Sequence, residues 1–131
     1  MRLALVQTAH GVLTLDPEEG VVAIDAEARL TPPPAVPVSL PAVLATVAAG
    51  STVVALVDRR PPLAISYDAG RTWHEAGGGL PRGVAIAIDE DDPDKILFAA
   101  RNRVWSSGDG GRFWESLAID LPEIEGVAFE P

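Results

Sequence analysis

Short hydrophobic runs, separated by turn-forming residues, follow one another along the chain. Runs of about four to eight aliphatic, β-branched and aromatic residues bounded by Gly, Pro, Asn or Asp are typical of β-strands. No segment combines helical periodicity with capping residues at its ends. We therefore predict an all-β protein with strands at residues 3–8, 11–16, 21–25, 43–48, 52–58, 62–67, 71–76, 83–89, 95–101, 104–107, 112–117 and 126–130.

The chain contains an internal repeat. "SYDAGRTW" at 66–73 and "SGDGGRFW" at 107–114 share the pattern S-x-D-x-G-R-x-W. Its matched positions are Ser66, Asp68, Gly70 and Trp73 in the first copy, and Ser107, Asp109, Gly111 and Trp114 in the second, each pair 41 residues apart. A Leu-Pro pair follows each copy, and another stands at 40–41. A period of about 40–45 residues is the length of a four-stranded propeller blade.

The repeat divides the chain into three predicted blades of four antiparallel strands each, within a single propeller unit. Residues 41–81 form the second blade and residues 82–122 the third. Residues 1–40 supply only three strands, and "GVAFE" at 126–130 copies "GVAIAID", the first strand of the third blade. We therefore predict that 1–40 and 126–131 together form a split first blade, in which Thr14, Asp16 and Val21 stand in a decayed copy of the motif.

The two motifs resemble the Asp-box, or BNR repeat, of sialidases, sortilin-type receptors, xyloglucan hydrolases and photosystem II assembly-factor propellers. Residues 66–73 match the S-x-D-x-G-x-T-W pattern fully, and Phe113 replaces the Thr in the second copy. The resemblance covers nearly the whole chain and implies a β-propeller in which the box residues are structural. It implies no activity, because the same box occurs in enzymes and non-enzymes. The catalytic motifs of sialidases are missing from this sequence.

The physical chemistry of the box residues agrees with a structural role. A short Asp side chain accepts hydrogen bonds from nearby backbone N–H groups and closes a turn. Gly at the fifth position adopts positive φ without steric cost, and the Trp buries a large apolar face between blades. A phosphate-binding P-loop would need a Lys-Ser/Thr ending and a following helix, which "GGRFW" lacks.

Composition narrows the function classes. The chain has 131 residues, a net charge of −9 and no cysteine, which excludes disulfides, thiol catalysis and thiolate metal sites. The negative charge argues against nucleic acid as a partner. No apolar run is long enough to span a membrane, and the N-terminal run is predicted to be a strand rather than a signal peptide. We expect a cytoplasmic protein without cofactor or metal; the carboxylates at 88–95 are interpreted as a turn, with a bound cation as the alternative.

Basic residues supply the candidate binding site. They fall in turns and connections that, by the resemblance, lie on the face opposite the boxes: Arg59, Arg60, Arg82, Arg101, Arg103 and His10. We expect this face to bind an anionic small molecule or an acidic protein surface, or else to carry scattered solvated side chains. No residue is assigned as catalytic, and a non-catalytic binding or scaffold module is predicted. The alternative is a glycosidase-like or carbohydrate-binding propeller with a carboxylate pair drawn from Glu75, Asp120, Glu123 and Glu125.

Three blades do not close a propeller, which usually has about four to eight. We expect a six-bladed homodimer in which the C-terminal strand of one chain completes the first blade of the other. The alternative is a fragment of a longer propeller. The proline-rich segment 26–40 is longer than its counterparts and is expected to pack across the first blade or toward the seam, with docking of a proline-recognising partner as the alternative.

Overall fold

The computed structural model describes residues 3–16, 19–117 and 120–131. These residues form twelve strands and no helix, which confirms the all-β prediction. The strands are β1 (Ala4–Thr8), β2 (Gly11–Asp16), β3 (Gly20–Asp25), β4 (Val43–Ala49), β5 (Thr52–Val57), β6 (Leu63–Ser66), β7 (His74–Ala76), β8 (Ala85–Asp89), β9 (Asp92–Ala99), β10 (Val104–Ser107), β11 (Glu115–Ser116) and β12 (Ile124–Phe129). Within this described part of the chain, no helix could cross a lipid bilayer.

The strands form three four-stranded antiparallel sheets. Sheet 1 has the order β12-β1-β2-β3, sheet 2 the order β4-β5-β6-β7, and sheet 3 the order β8-β9-β10-β11. In sheet 1 the C-terminal strand pairs with the N-terminal one, with Ala4 opposite Phe129 and Val6 opposite Val127. The split sheet predicted from the repeat is therefore present, and this single chain closes it with its own C-terminal strand.

Two strands have at most half the length that the sequence predicts. The runs 71–76 and 112–117 shrink to β7 and β11, because the residues that precede these strands belong to the box turns. The backbone N–H groups of Thr72 and Phe113 are donated to the box carboxylates rather than to a neighbouring strand.

Conversely, β9 begins three residues earlier than predicted, inside the acidic turn. The Asp89 side chain accepts the N–H of Asp91 at 2.9 Å, which tightens the turn and leaves Asp89 opposite Asp92. A bulge beside Asp89 interrupts the pairing there. Pro93 falls in this interrupted stretch, where its missing N–H removes no ladder bond.

Sheet 3 lies between the other two sheets. Its first strand, β8, contacts both β12 of sheet 1 and β4 of sheet 2. One apolar core joins sheets 1 and 3, around Val6, Leu15, Leu97 and Val127. A second joins sheets 2 and 3, around Leu56, Ile65 and Phe98 among others. Sheets 1 and 2 are thus the two ends of the row, and among the residues that the structure describes each has one face with no sheet packed against it.

The long connection from β3 to β4, residues 26–42, runs from one end of the row to the other; we call it the strap. On sheet 1, the N–H of Leu30 is donated to Gln7 Oε1 at 2.7 Å. On sheet 2, Thr46 Oγ1 accepts the N–H of Val36 at 2.7 Å and donates to its carbonyl at 2.9 Å. The strap therefore contacts sheet 1, as expected, and then continues onto sheet 2.

Candidate functional site

Each of the two boxes is a closed hydrogen-bonded turn. Ser66 Oγ donates to Asp68 Oδ1 at 2.7 Å and accepts the N–H of Gly70 at 2.8 Å. Asp68 also accepts the N–H groups of Arg71 and Thr72 and the Thr72 hydroxyl, the last at 2.6 Å. Gly70 holds φ +89°, which lets the turn close without strain. The carboxylate oxygens of this box are thus used within the turn.

The second box repeats this arrangement, but its carboxylate lacks the hydroxyl donor that Thr72 supplies in the first box. Ser107 Oγ donates to Asp109 and accepts the N–H of Gly111, and Asp109 accepts the N–H groups of Arg112 and Phe113. Phe113 offers no hydroxyl and is 78% exposed. A side chain at Gly111 would meet Ile65 of the neighbouring sheet, so this glycine permits close approach of sheets 2 and 3.

These hydrogen bonds lower the pKa of both box carboxyls. The Thr72 hydroxyl and then the Thr72 N–H hold the pKa of Asp68 far below its usual range. The Phe113 N–H and then the Ser107 hydroxyl lower the pKa of Asp109. Both groups are stabilised as carboxylates by donors of their own turn, as expected of side chains that hold a turn closed. In the described residues, no three His, Asp or Glu side chains converge as metal ligands.

A groove lined by arginines lies between sheets 2 and 3. It has a volume of about 510 Å³, and four of the six predicted basic residues line it: Arg60, Arg82, Arg101 and Arg103. Arg60 comes from the turn between β5 and β6, and Arg82 from the connection between β7 and β8. Arg101 and Arg103 come from the turn between β9 and β10. Arg59 and His10, the other two predicted residues, are not among the residues that line it.

Trp105 supplies an aromatic wall to this arginine groove, together with Pro81, Ala100 and Asn102. The Trp105 ring is half-buried and packs against Phe98, with ring centroids 5.7 Å apart. Our sequence reasoning did not select Trp105 as a site residue. A signal was available in the sequence, because Trp105 lies two residues after the predicted Arg103, in the strand that leaves the same turn.

Three of the groove arginines already hold carboxylates of the same chain. Arg82 bonds Asp58 at 2.6 Å, Arg103 bonds Asp120 at 3.0 Å, and Arg101 lies 3.4 Å from Glu123. All six side chains are between 44% and 80% exposed, so each pair adds only about 0–1 kcal/mol to stability. Arg60 has no ion-pair partner among the residues that the structure describes. The groove therefore combines one unpaired arginine with three that are weakly engaged.

The carboxylates considered for glycosidase chemistry are dispersed. Asp120 and Glu123 are exposed and held by arginines, and Glu125 accepts from Gln7 at 3.4 Å. Glu75 lines a different cleft, beside Tyr67, His74 and Arg112. None of these contacts places a carboxyl in an apolar pocket of the kind that keeps a general acid protonated.

Comparisons with known proteins yield no relative: no family model, no curated protein and no solved structure matches the chain.

Proposed function

We propose that this chain is a non-catalytic Asp-box β-propeller module that binds a carboxylate-bearing or phosphate-bearing partner in the arginine groove. The observation that carries this proposal is the convergence of Arg60, Arg82, Arg101 and Arg103 around one groove, in a chain whose net charge is −9. A cluster of guanidinium groups on an otherwise negatively charged protein favours the binding of anions at that place. A cytoplasmic location is part of the proposal.

The ion pairs within the chain support an anionic ligand. A guanidinium presents planar donors that match a carboxylate or phosphate, and three of the groove arginines already pair with carboxylates of the chain. Because those pairs are exposed and weak, an incoming anion can replace Asp58 or Asp120 at little cost. Trp105 adds a flat apolar surface for the rest of the ligand. We therefore favour a ligand with two or more anionic groups.

A calorimetric titration with citrate tests the proposal, at ionic strengths of about 0.01 M and about 0.15 M. We expect binding that weakens with salt. Arg60→Ala should weaken it about ten- to hundredfold, because it removes a charge-assisted hydrogen bond and leaves no carboxylate unpaired. Asp120→Asn should strengthen it, because it releases Arg103.

The matched control for this titration is Arg71→Ala. Arg71 is exposed, and it lies in a box turn rather than in the groove. It changes net charge as Arg60→Ala does and should leave citrate affinity near that of the wild type. Equal affinities for the Arg60 and Arg71 variants, or no binding by the wild type, would reject the arginine groove as the site.

The proposal includes assembly of two chains into a six-bladed ring with exchanged C-terminal strands. Sheets 1 and 2 each have one face without a neighbouring sheet, as the ends of an open row must. Joining two such rows end to end, with two-fold symmetry, gives both chains a neighbour at each end. Light scattering at micromolar concentration should return twice the mass of the chain; the mass of one chain would exclude the ring for the wild type.

A further inference from the structure

The strap occupies the place of a neighbouring sheet. Val36, Val38 and Leu40 are half-buried, and they alternate with the exposed residues Pro37 and Ser39. Leu40 packs with Trp73 against a small apolar cluster on the face of sheet 2 that points away from sheet 3, formed by Ala55, Val57 and Ala64. Val36 and Val38 lie beside Val53 and Trp73 on the same side. One end of the row is thus covered by a single extended segment.

The repeat shows what this position holds elsewhere in the molecule. Counting 41 residues on, Ala55, Val57 and Ala64 become Ile96, Phe98 and Trp105. These larger residues pack against sheet 2, and so does the second-box residue Trp114. The face of sheet 2 is therefore the counterpart of an inter-sheet face, built from smaller side chains where the strap lies.

The length of the strap matches the route it takes. The other two connections between sheets, 77–84 and 117–123, join neighbours, and each is about half as long as 26–42. The strap instead joins sheet 1 to sheet 2, which lie at opposite ends of the row with sheet 3 between them. The stretch from Leu30 on Gln7 to Val36 on Thr46 makes the crossing. A connection between neighbouring sheets would not need these residues.

We propose that the strap is the element that allows one chain to close on itself, and that it competes with a second copy of the chain for the free face of sheet 2. With the strap in place, β12 pairs with β1 of its own chain. In the alternative form, β12 of one chain pairs with β1 of the other, and the connection after β3 leads to an adjacent sheet. This inference rests on the proposed ring. It states that the length of residues 26–42 determines whether a single chain closes on itself or two chains exchange their C-terminal strands.

Deletion of residues 29–37 tests the proposal, because it leaves a connection as long as that at 77–84. The shortened chain lacks the residues that cross between sheets 1 and 2, so we expect a folded dimer of twice the chain mass at all concentrations down to nanomolar. Chromatography with light scattering gives the mass, and near-ultraviolet circular dichroism reports the packed tryptophans. A folded monomer would overturn the proposal, and so would an unfolded chain, because the ring form does not require the deleted residues.

The control replaces residues 29–37 with Gly and Ser at unchanged length. It removes the prolines and part of the strap contact but keeps the reach of the connection, so at nanomolar concentration its dimer fraction should stay well below that of the deletion variant. Equal dimer fractions in both variants would show that length is not the determinant. A monomeric wild type beside a dimeric deletion variant would refute the proposed wild-type ring and leave the present inference intact. Citrate binding is a separate readout, because sheets 2 and 3 form the arginine groove.

Discussion

At the scale of residues, the hydrogen-bond donors to the two box carboxylates differ by one hydroxyl. Thr72 donates both its N–H and its hydroxyl to Asp68, whereas Phe113 donates only its N–H to Asp109. The remaining donors to the carboxylates match, since Ser66 and Ser107 make the same contacts. The charge of the Arg112 guanidinium also lowers the pKa of Asp109, so the effect of the hydroxyl is best measured within each box.

Thr72→Val should raise the pKa of Asp68 toward its usual range, because it removes the donor with the largest effect and keeps the side-chain shape. Phe113→Thr should lower the pKa of Asp109 further, by supplying the missing donor. Titration of the carboxyl carbons by ¹³C NMR measures both. An unchanged pKa of Asp68 in the Val variant would contradict this account of the box.

The pH dependence of stability follows from the same hydrogen bonds. Both carboxyls have a folded-state pKa below that of the unfolded chain. Their contribution to the free energy of unfolding is therefore complete above the ordinary Asp pKa of about 4, and it is lost as the pH falls through the folded-state pKa. Neutral and mildly acidic solutions should leave the boxes closed.

At the scale of elements, strands and strap differ in how far the sequence predicts them. The hydrophobic runs located the strands of sheets 2 and 3, and the 41-residue spacing predicted that the N- and C-terminal runs share sheet 1. The path of the strap could not be obtained in this way. Its proline-rich sequence has no period, and its partners Gln7 and Thr46 are set by where sheets 1 and 2 lie in space.

The arginine groove, too, could be predicted from the sequence only in part. Arg60, Arg82, Arg101 and Arg103 could be predicted because turns at repeated positions lie on one face of a repeated fold. Their ion pairs could not, because Asp58 lies in the turn after β5 whereas Asp120 and Glu123 lie in the connection before β12, and the placement of these segments beside the arginines depends on packing. The sequence thus predicts which arginines line the groove, but not which carboxylate pairs with each of them.

Thr46→Val tests the attachment of the strap to β4. It removes the two hydrogen bonds to Val36, worth about 1–2 kcal/mol together, so the Val36 N–H should exchange with solvent about five- to thirtyfold faster. Thr46→Ser keeps the hydroxyl and should restore the protection. Hydrogen exchange by NMR gives the rates, and identical rates in the Val variant and the wild type would mean that these bonds do not hold the strap.

At the scale of the whole molecule, the box carboxylates and the groove arginines lie in different regions. The boxes use their carboxylates within their own turns, while the arginine groove gathers cations that are only weakly engaged. The three sheets form a row with sheet 3 in the middle, and the groove lies at the junction of sheets 2 and 3, on the inner side of sheet 2 rather than on the face that the strap covers. Binding in the groove and closure of the row can therefore be examined independently.

The indole N–H signals of the three tryptophans test the binding claim most directly, because each reports a different place. Trp105 lines the arginine groove, Trp73 lies beside the strap, and Trp114 donates its indole N–H to Gly111 in the second box. In a ¹H–¹⁵N titration with citrate at low salt, the account predicts a saturable shift of the Trp105 signal, with those of Trp73 and Trp114 unmoved. An unmoved Trp105 signal, or a shift confined to Trp73 or Trp114, would contradict it.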